Sequence, residues 1–245
     1  MAAAVSARLR HSTRTHDDYE VRVAGRGTVT VTPAVARCWV YTTLWRGRRR
    51  LHSGMGLTVG LGVQWTPPFL DSSSSDDESE PDGGESEPDS SDNDGGSESE
   101  LRPGTLQLCS GHRCLVFQIA QAADNADGAA IPAILSRFLD DPRVAFVGYN
   151  VRSDCRKLSA HHGLEDRCAR ELREVTGMGN ASMAGMAERL LGWGGVKKDK
   201  RVGVSRWHAR DLSEEQVFYA CHDACLSYCL GARVGVMPDS DPASY

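Results

Sequence analysis

No apolar run in the 245-residue sequence approaches the ~20 residues that a membrane-spanning helix needs. Met1 to His16 contains no Asp or Glu, and it also has no apolar core, so it does not read as a secretory signal. Residues 1–17 are expected to form a disordered tail, and the chain to be intracellular, in nucleus, cytoplasm or both. Lysine is scarce: there are four, and Lys197, Lys198 and Lys200 fall in one short segment. The 8 cysteines lack the spacing of a small disulfide framework and read as reduced thiols. Cys109 and Cys114 flank His112, but no second ligand pair stands at zinc spacing. Cys221, Cys225 and Cys229 share a helical face and read as core. Gly60-Leu61-Gly62 lacks the third glycine of a dinucleotide fingerprint. There are no internal repeats, and no nucleophile–histidine–acid set follows from spacing.

Charge is unevenly placed. Residues 71–100 hold thirteen Asp and Glu and no Lys or Arg, against a net charge of −5 for the whole chain. A body of net charge +8 is therefore masked by an acidic insert. The insert, placed at residues 71–103, cannot bury apolar surface and is expected to be disordered. Its Ser-Asp tracts suit acid-directed phosphorylation. Arg46, Arg48, Arg49 and Arg50 fit either a nuclear-localisation patch or a solvated helix end.

Hydrophobic periodicity supplies the elements. Tyr19 to Thr32 suggests one or two strands, and Thr32-Pro33 a helix start before Val35, Cys38, Trp39 and Thr42. Leu57 to Val63 reads as a buried strand, and 105–109 with 113–119 as a hairpin. A helix over 131–139, a strand over 144–147 and helices over 153–162 and 181–191 follow. Ser213 and Gln216 form a capping box, and Leu212 and Val217 a hydrophobic staple, for a final helix to about Gly231. Strands followed by alternating helix and strand predict an α/β mixed sheet flanked by helices.

Three segments stand out together: Val59 to Trp65 at a strand end, Phe146 to Asp154 from strand into helix, and Tyr219 to Ala224 on the last helix. Gly62 and Gln64 share one side of the sheet, and Tyr219 and Asp223 one helical face. Asp154 alone could equally cap a helix, and Tyr219 with Asp223 could be an exposed pair. Their order, with Leu106-Gln107-Leu108-Cys109, Cys114 to Gln118, Ser205, Trp207, Arg210, Leu212, Ser213 and Gln216, resembles the DEDDy 3′→5′ exonucleases. The likeness is to the RNase D and Werner-syndrome exonuclease group in its plant-type single-domain form. It covers residues 18–235 apart from the insert and leaves 236–245 as a tail.

That resemblance implies a ribonuclease H-like, mainly five-stranded fold. It also implies four carboxylates holding two divalent metals, and a tyrosine that positions the attacking water. Asp154 and Asp223 match two metal-binding positions, and Tyr219 the tyrosine. Gly62 and Gln64 stand where the first two carboxylates belong. The formal carboxylate charge falls from −4 to −2, so catalysis is expected to be weak or lost. Mg²⁺ or Mn²⁺ is the implied cofactor if the site is active, and none if it is dead.

Lys197, Lys198, Lys200, Arg201, Arg206 and Arg210 match the loop beside the family's active site and are expected to contact phosphates. Trp207 beside them is expected to pack in the core. Single-stranded or 3′-ended nucleic acid is the expected partner. A non-catalytic binding module, or an interaction module whose acidic insert recruits a basic protein, is the alternative.

Overall fold

The computed structural model describes residues 6–13, 17–22, 28–31, 36–67, 70, 102–122, 131–162, 169–195 and 198–238. Its strands are β1 (Ser6–Ser12), β2 (Asp17–Arg22), β3 (Thr28–Val31), β4 (Leu57–Thr66), β5 (Arg102–Ser110), β6 (Arg113–Gln118), β7 (Val144–Gly148) and β8 (Ala169–Glu171). They form one eight-stranded sheet in the order β1-β2-β3-β6-β5-β4-β7-β8. The last five are the mixed ribonuclease H-like core. β4 lies antiparallel to β5 and parallel to β7, and β7 parallel to β8.

β2 and β3 fall in the Tyr19 to Thr32 stretch where one or two strands were expected, and β1 extends the sheet beyond them. β1 occupies the expected tail over 1–17, where Arg10 pairs with Glu20 and the Leu9 amide donates to Glu214. Antiparallel pairing carries β1 onto β2 and β2 onto β3, and β3 then joins β6 in parallel. A register shift between Leu9 and His11 bulges β1. The insert's expected end at 103 also moves, because Arg102 and Pro103 already pair with Thr66 and Trp65. Residue 236 is not tail: Val236 is buried, and its carbonyl accepts from the Thr58 hydroxyl at 2.7 Å. Thr32-Pro33 and 71–101 lie outside the described residues.

The helices are α1 (Ala36–His52), α2 (Ile119–Ala122), α3 (Ala133–Leu139), α4 (Val151–His162), α5 (Leu172–Val175), α6 (Met183–Leu191), α7 (Lys200–Gly203) and α8 (Glu214–Arg233). Strand alternation sorts the core into two faces. Val59, Leu61, Val63, Leu106 and Leu108 pack with Trp39 of α1 and with Leu135 and Phe138 of α3. Cys109, Cys114 and Val116 face α8 at Ala220, Cys221, Ala224 and Cys225. Burial pushes the Cys221 thiol up, so it stays protonated and packs as a small apolar group. Cys109 and Cys114 are cross-strand partners inside this layer, whereas His112 is exposed at the turn.

α8 is the axis of the second face. Its capping box is formed as expected: Ser213 Oγ accepts from the Gln216 amide at 3.2 Å, and Gln216 Oε1 accepts from the Ser213 amide at 3.0 Å. The helix lies against β4 at Gly60, where an added Cβ would stand 2.0 Å from the Ala224 carbonyl oxygen. Only glycine admits that approach. Gly104 has the same duty under Trp207, which is fully buried, as the packing expectation required.

Candidate active site

β4 sends Thr58, Gly60, Gly62 and Gln64 to the α8 face. At its far end these residues meet the first turn of α4 and the middle of α8. The junction encloses a cleft of about 280 Å³, lined among others by Gly62, Gln64, Asp154, Lys198, His222 and Asp223. Gly62, Gln64, Asp154, Asp223 and Lys198 therefore gather at one place, although up to 161 residues separate them in sequence.

Asp154 is carried by α4, which begins after a turn at Tyr149-Asn150. Asn150 takes a left-handed φ of 61°, and Glu171 from β8 caps the helix, accepting from the Asn150 and Val151 amides at 3.2 and 3.0 Å. With the cap supplied by Glu171, Asp154 is left to face the cleft. Its Oδ1 accepts from Trp65 Nε1 at 2.9 Å. Trp65 reaches it because β4 slips register between Gln64 and Trp65. Burial pushes the Asp154 carboxyl up to about 7 against the opposing pull of the Trp65 hydrogen bond and of Lys157.

Asp223 has the opposite character. Burial works against its charge, but His222 and Lys198 outweigh it and hold the carboxyl below the usual range. Lys198 Nζ makes a short ion pair with Oδ1, Gln64 Nε2 donates to Oδ2 at 3.3 Å, and His222 Nδ1 stands 3.7 Å from Oδ1. The same ammonium lies 4.1 Å from the centre of the Tyr219 ring. A neutral amide and a cation thus occupy both oxygens of the Asp223 carboxylate.

Gly62 contributes no side chain. A Cβ there would stand 2.9 Å from Gln107 Oε1 and 3.7 Å from Asp223 Cβ. Gln107 is fully buried. Its Nε2 donates to Thr105, while its Oε1 has no hydrogen-bond partner among the described residues.

The other expected site residues that are described do not line the cleft. Tyr219 packs beside Trp207, with ring centres 5.9 Å apart, and a Cβ at Gly203 would stand 2.6 Å from its hydroxyl. It lines a neighbouring hollow with Val202 and Phe218. Arg201 pairs with Asp199, and Arg210 lines another hollow beside Asp17 and Tyr19. Lys200 and Arg206 are exposed, and Lys197 lies outside the described residues. Of the basic segment, Lys198 alone among the described residues lines the cleft. Sequence reasoning missed Trp65, Glu171, Gln107 and His222. Trp65, Gln107 and His222 lie within segments that stood out in the sequence, but the contacts that give Trp65 and Glu171 their roles are long-range.

The fold and the paired acids on β4-facing elements define a ribonuclease H-like nuclease scaffold. Residues 95–232 match the family described as 3′-5′ exonuclease, and the chain belongs to that family, in its DEDDy branch. The match leaves out β4, the strand that carries Gly62 and Gln64. A 3′-5′ exonuclease of Drosophila mojavensis is 28% identical over 132 residues, covering 49% of this chain and 38% of that protein. The chain thus spans well under half of that relative. The catalytic core of RRP6 from Trypanosoma brucei superposes with a TM-score of 0.54 at 12% identity, over 81% of this chain and 43% of that one. Escherichia coli RNase D superposes with a TM-score of 0.50 at 16% identity, over 77% and 41%. The two structures share the fold.

Proposed function

We propose that this chain is a 3′→5′ exonuclease-type domain that binds single-stranded or 3′-ended nucleic acid and is catalytically impaired. The observation that carries the reading is the Lys198–Asp223–Gln64 arrangement. In the family as the resemblance describes it, divalent cations sit among four carboxylates. Here Gly62 offers no ligand, Gln64 spends its amide on Asp223, and Asp223 is neutralised by Lys198. Asp154, with its carboxyl near 7, carries only part of a charge at neutral pH. Among the described residues no three His, Cys, Asp or Glu are grouped to hold a metal ion. These donors do not fit a pair of Mg²⁺ or Mn²⁺ ions, which require several anionic oxygens.

Binding needs less than hydrolysis does. Lys198 retains further N–H donors for a phosphate, and Lys200, Arg201 and Arg206 follow it along the chain. Together with Lys197 and Arg210 they supply the sequence-independent attraction on which single-strand binding rests. Losing even an outer-shell partner costs ~10–100-fold in metal affinity or activity, so two missing ligands lower hydrolysis at least that far.

The test compares the native chain with Gly62→Asp/Gln64→Glu on a strand labelled for 3′ degradation, with Mn²⁺ present. Native binding that persists in EDTA, with degradation arising only in the double variant, supports the proposal. Equal degradation by both, abolished by Asp223→Ala, overturns it.

A further inference from the structure

The opposite end of β4 holds a second cavity, of about 250 Å³. It lies between the inner side of α1 (Thr43, Arg46, Gly47, Arg50), the β5–β6 turn (Ser110 to Arg113), the first residues of β4 and the end of α8. Three arginines and His112 line it, and among the described residues no carboxylate does. The elements around it explain why. α1, β4, β5 and β6 contain no Asp or Glu, and the acids of α8 stop at Asp223, before the stretch from Tyr228 that borders the cavity.

Arginines packed together without acids repel one another unless an anion joins them. Arg113 bears this directly. It is partly buried, and its Nη1 is buried with no hydrogen-bond partner among the described residues. Burial and the neighbouring Arg46 both lower the affinity of its guanidinium for the proton. Arg50 spends only part of its donor set, on the Gly56 carbonyl and the Met237 sulfur. Planar guanidinium groups converging on a cavity of this size suit the oxygens of a phosphate, which accept several charge-assisted hydrogen bonds at once.

We infer that this cavity is an anion site, separate from the cleft, that takes a phosphate group on Arg46, Arg50 and Arg113. No residue lines both places, and their nearest lining residues on β4, Thr58 and Leu61, are about 10 Å apart along the strand at ~3.3 Å per residue. The phosphate belongs either to a nucleic-acid backbone crossing this end of the sheet or to a free nucleotide-like molecule. The inference stands whether or not the cleft hydrolyses anything.

Two titrations of the full chain test it. Inorganic pyrophosphate is followed by calorimetry, and a labelled single strand by fluorescence anisotropy. Each is repeated with Arg46→Glu, Arg113→Gln and Arg48→Ala. Arg48 points its guanidinium over the Trp45 ring, 4.3 Å from its centre, and does not line the cavity. Pyrophosphate affinity is expected to fall about tenfold or more in the first two variants, as loss of a charge-assisted contact implies, and to be unchanged in Arg48→Ala. Arg46 is exposed, so its reversal tests the site even if Arg113→Gln misfolds. If the strand weakens in parallel and its salt dependence becomes shallower, the phosphate is a backbone one. If only pyrophosphate weakens, the ligand is a small phosphate compound. Equal pyrophosphate affinity in native, Arg46→Glu and Arg113→Gln overturns the inference. So does a native chain that takes an acidic peptide but not pyrophosphate.

Discussion

Gly60 and Gly62 stand two residues apart on the same face of β4, and their surroundings differ in kind. At Gly60 a side chain would meet the backbone of α8, 2.0 Å from the Ala224 carbonyl and 2.5 Å from the Tyr228 amide. At Gly62 it would meet the tip of Gln107 at 2.9 Å and little else. Backbone cannot retreat without moving a helix, whereas an amide tip can turn. Gly60 is therefore required by the packing of the fold, and Gly62 is not. Gly62 leaves space beside Asp223, and Lys198 supplies the positive charge that balances that carboxylate.

The comparison can be broken at either end. Gly60→Ala forces α8 off the sheet and is expected to cost about 3 kcal/mol or more by chemical denaturation. A loss under ~1 kcal/mol would show that α8 yields easily. Lys198→Ala leaves Asp223 mostly buried, with the Gln64 amide and His222 but no lysine. A loss of about 2 kcal/mol at pH 7 is expected, less than for a fully buried pair because Lys198 is partly exposed. The depressed Asp223 carboxyl stabilises the fold above its unfolded pKa, and that stability is lost as pH falls through the folded value. The Lys198→Ala variant should therefore lose less stability on acidification than the native chain.

Asp154 has the reverse sign. Its folded pKa of about 7 lies above the ordinary carboxylate value. Its contribution is thus complete below ~4 and is lost as pH rises through 7. Asp154→Asn should raise stability at pH 8 relative to pH 5 by about 1–2 kcal/mol, after discount for partial exposure. A flat difference across that range would place the shift elsewhere. Gly62→Ala is expected to change stability by under ~1 kcal/mol, and a larger loss would make Gln107 rigid. The smallest effect concerns binding. Deleting residues 71–100 removes thirteen acids and should tighten single-strand binding a few-fold at low salt, fading as salt screens the charge. Unchanged affinity would mean that the insert does not compete for the basic surface.

The parts legible in the sequence were those with their own local signal. β4, the β5–β6 hairpin and α8 follow from alternation, turn residues and a capping box. Asp154 and Asp223 follow from spacing within long elements. The short pieces were not legible. β8 and α5 hold three and four residues, too few for a period, and exist because β7, the start of α4 and α8 give them a surface. β1 looked like a tail because its outward residues are arginine and histidine, and only pairing with β2 makes it a strand. The occupancy of Asp223 was hidden for a related reason. Lys198 reads as one more member of a basic segment until the fold lays it over Tyr219 and against a carboxylate 25 positions away. The role of Glu171 was concealed likewise, since a helix cap offered from 20 residues downstream has no local pattern.

The bulge in β1 bears on how copies of this chain meet one another. The edges of a sheet are templates on which another copy could add a strand, although on β1 the Leu9 amide already donates to Glu214. On one side β8 presents only three residues of edge. On the other the longer β1 breaks its register between Leu9 and His11, and Arg8, Arg10 and His11 stand exposed along it. A kinked, positively charged border disfavours a second identical border by geometry and by repulsion. The strands added to the core therefore widen the sheet without opening a flat margin for indefinite growth.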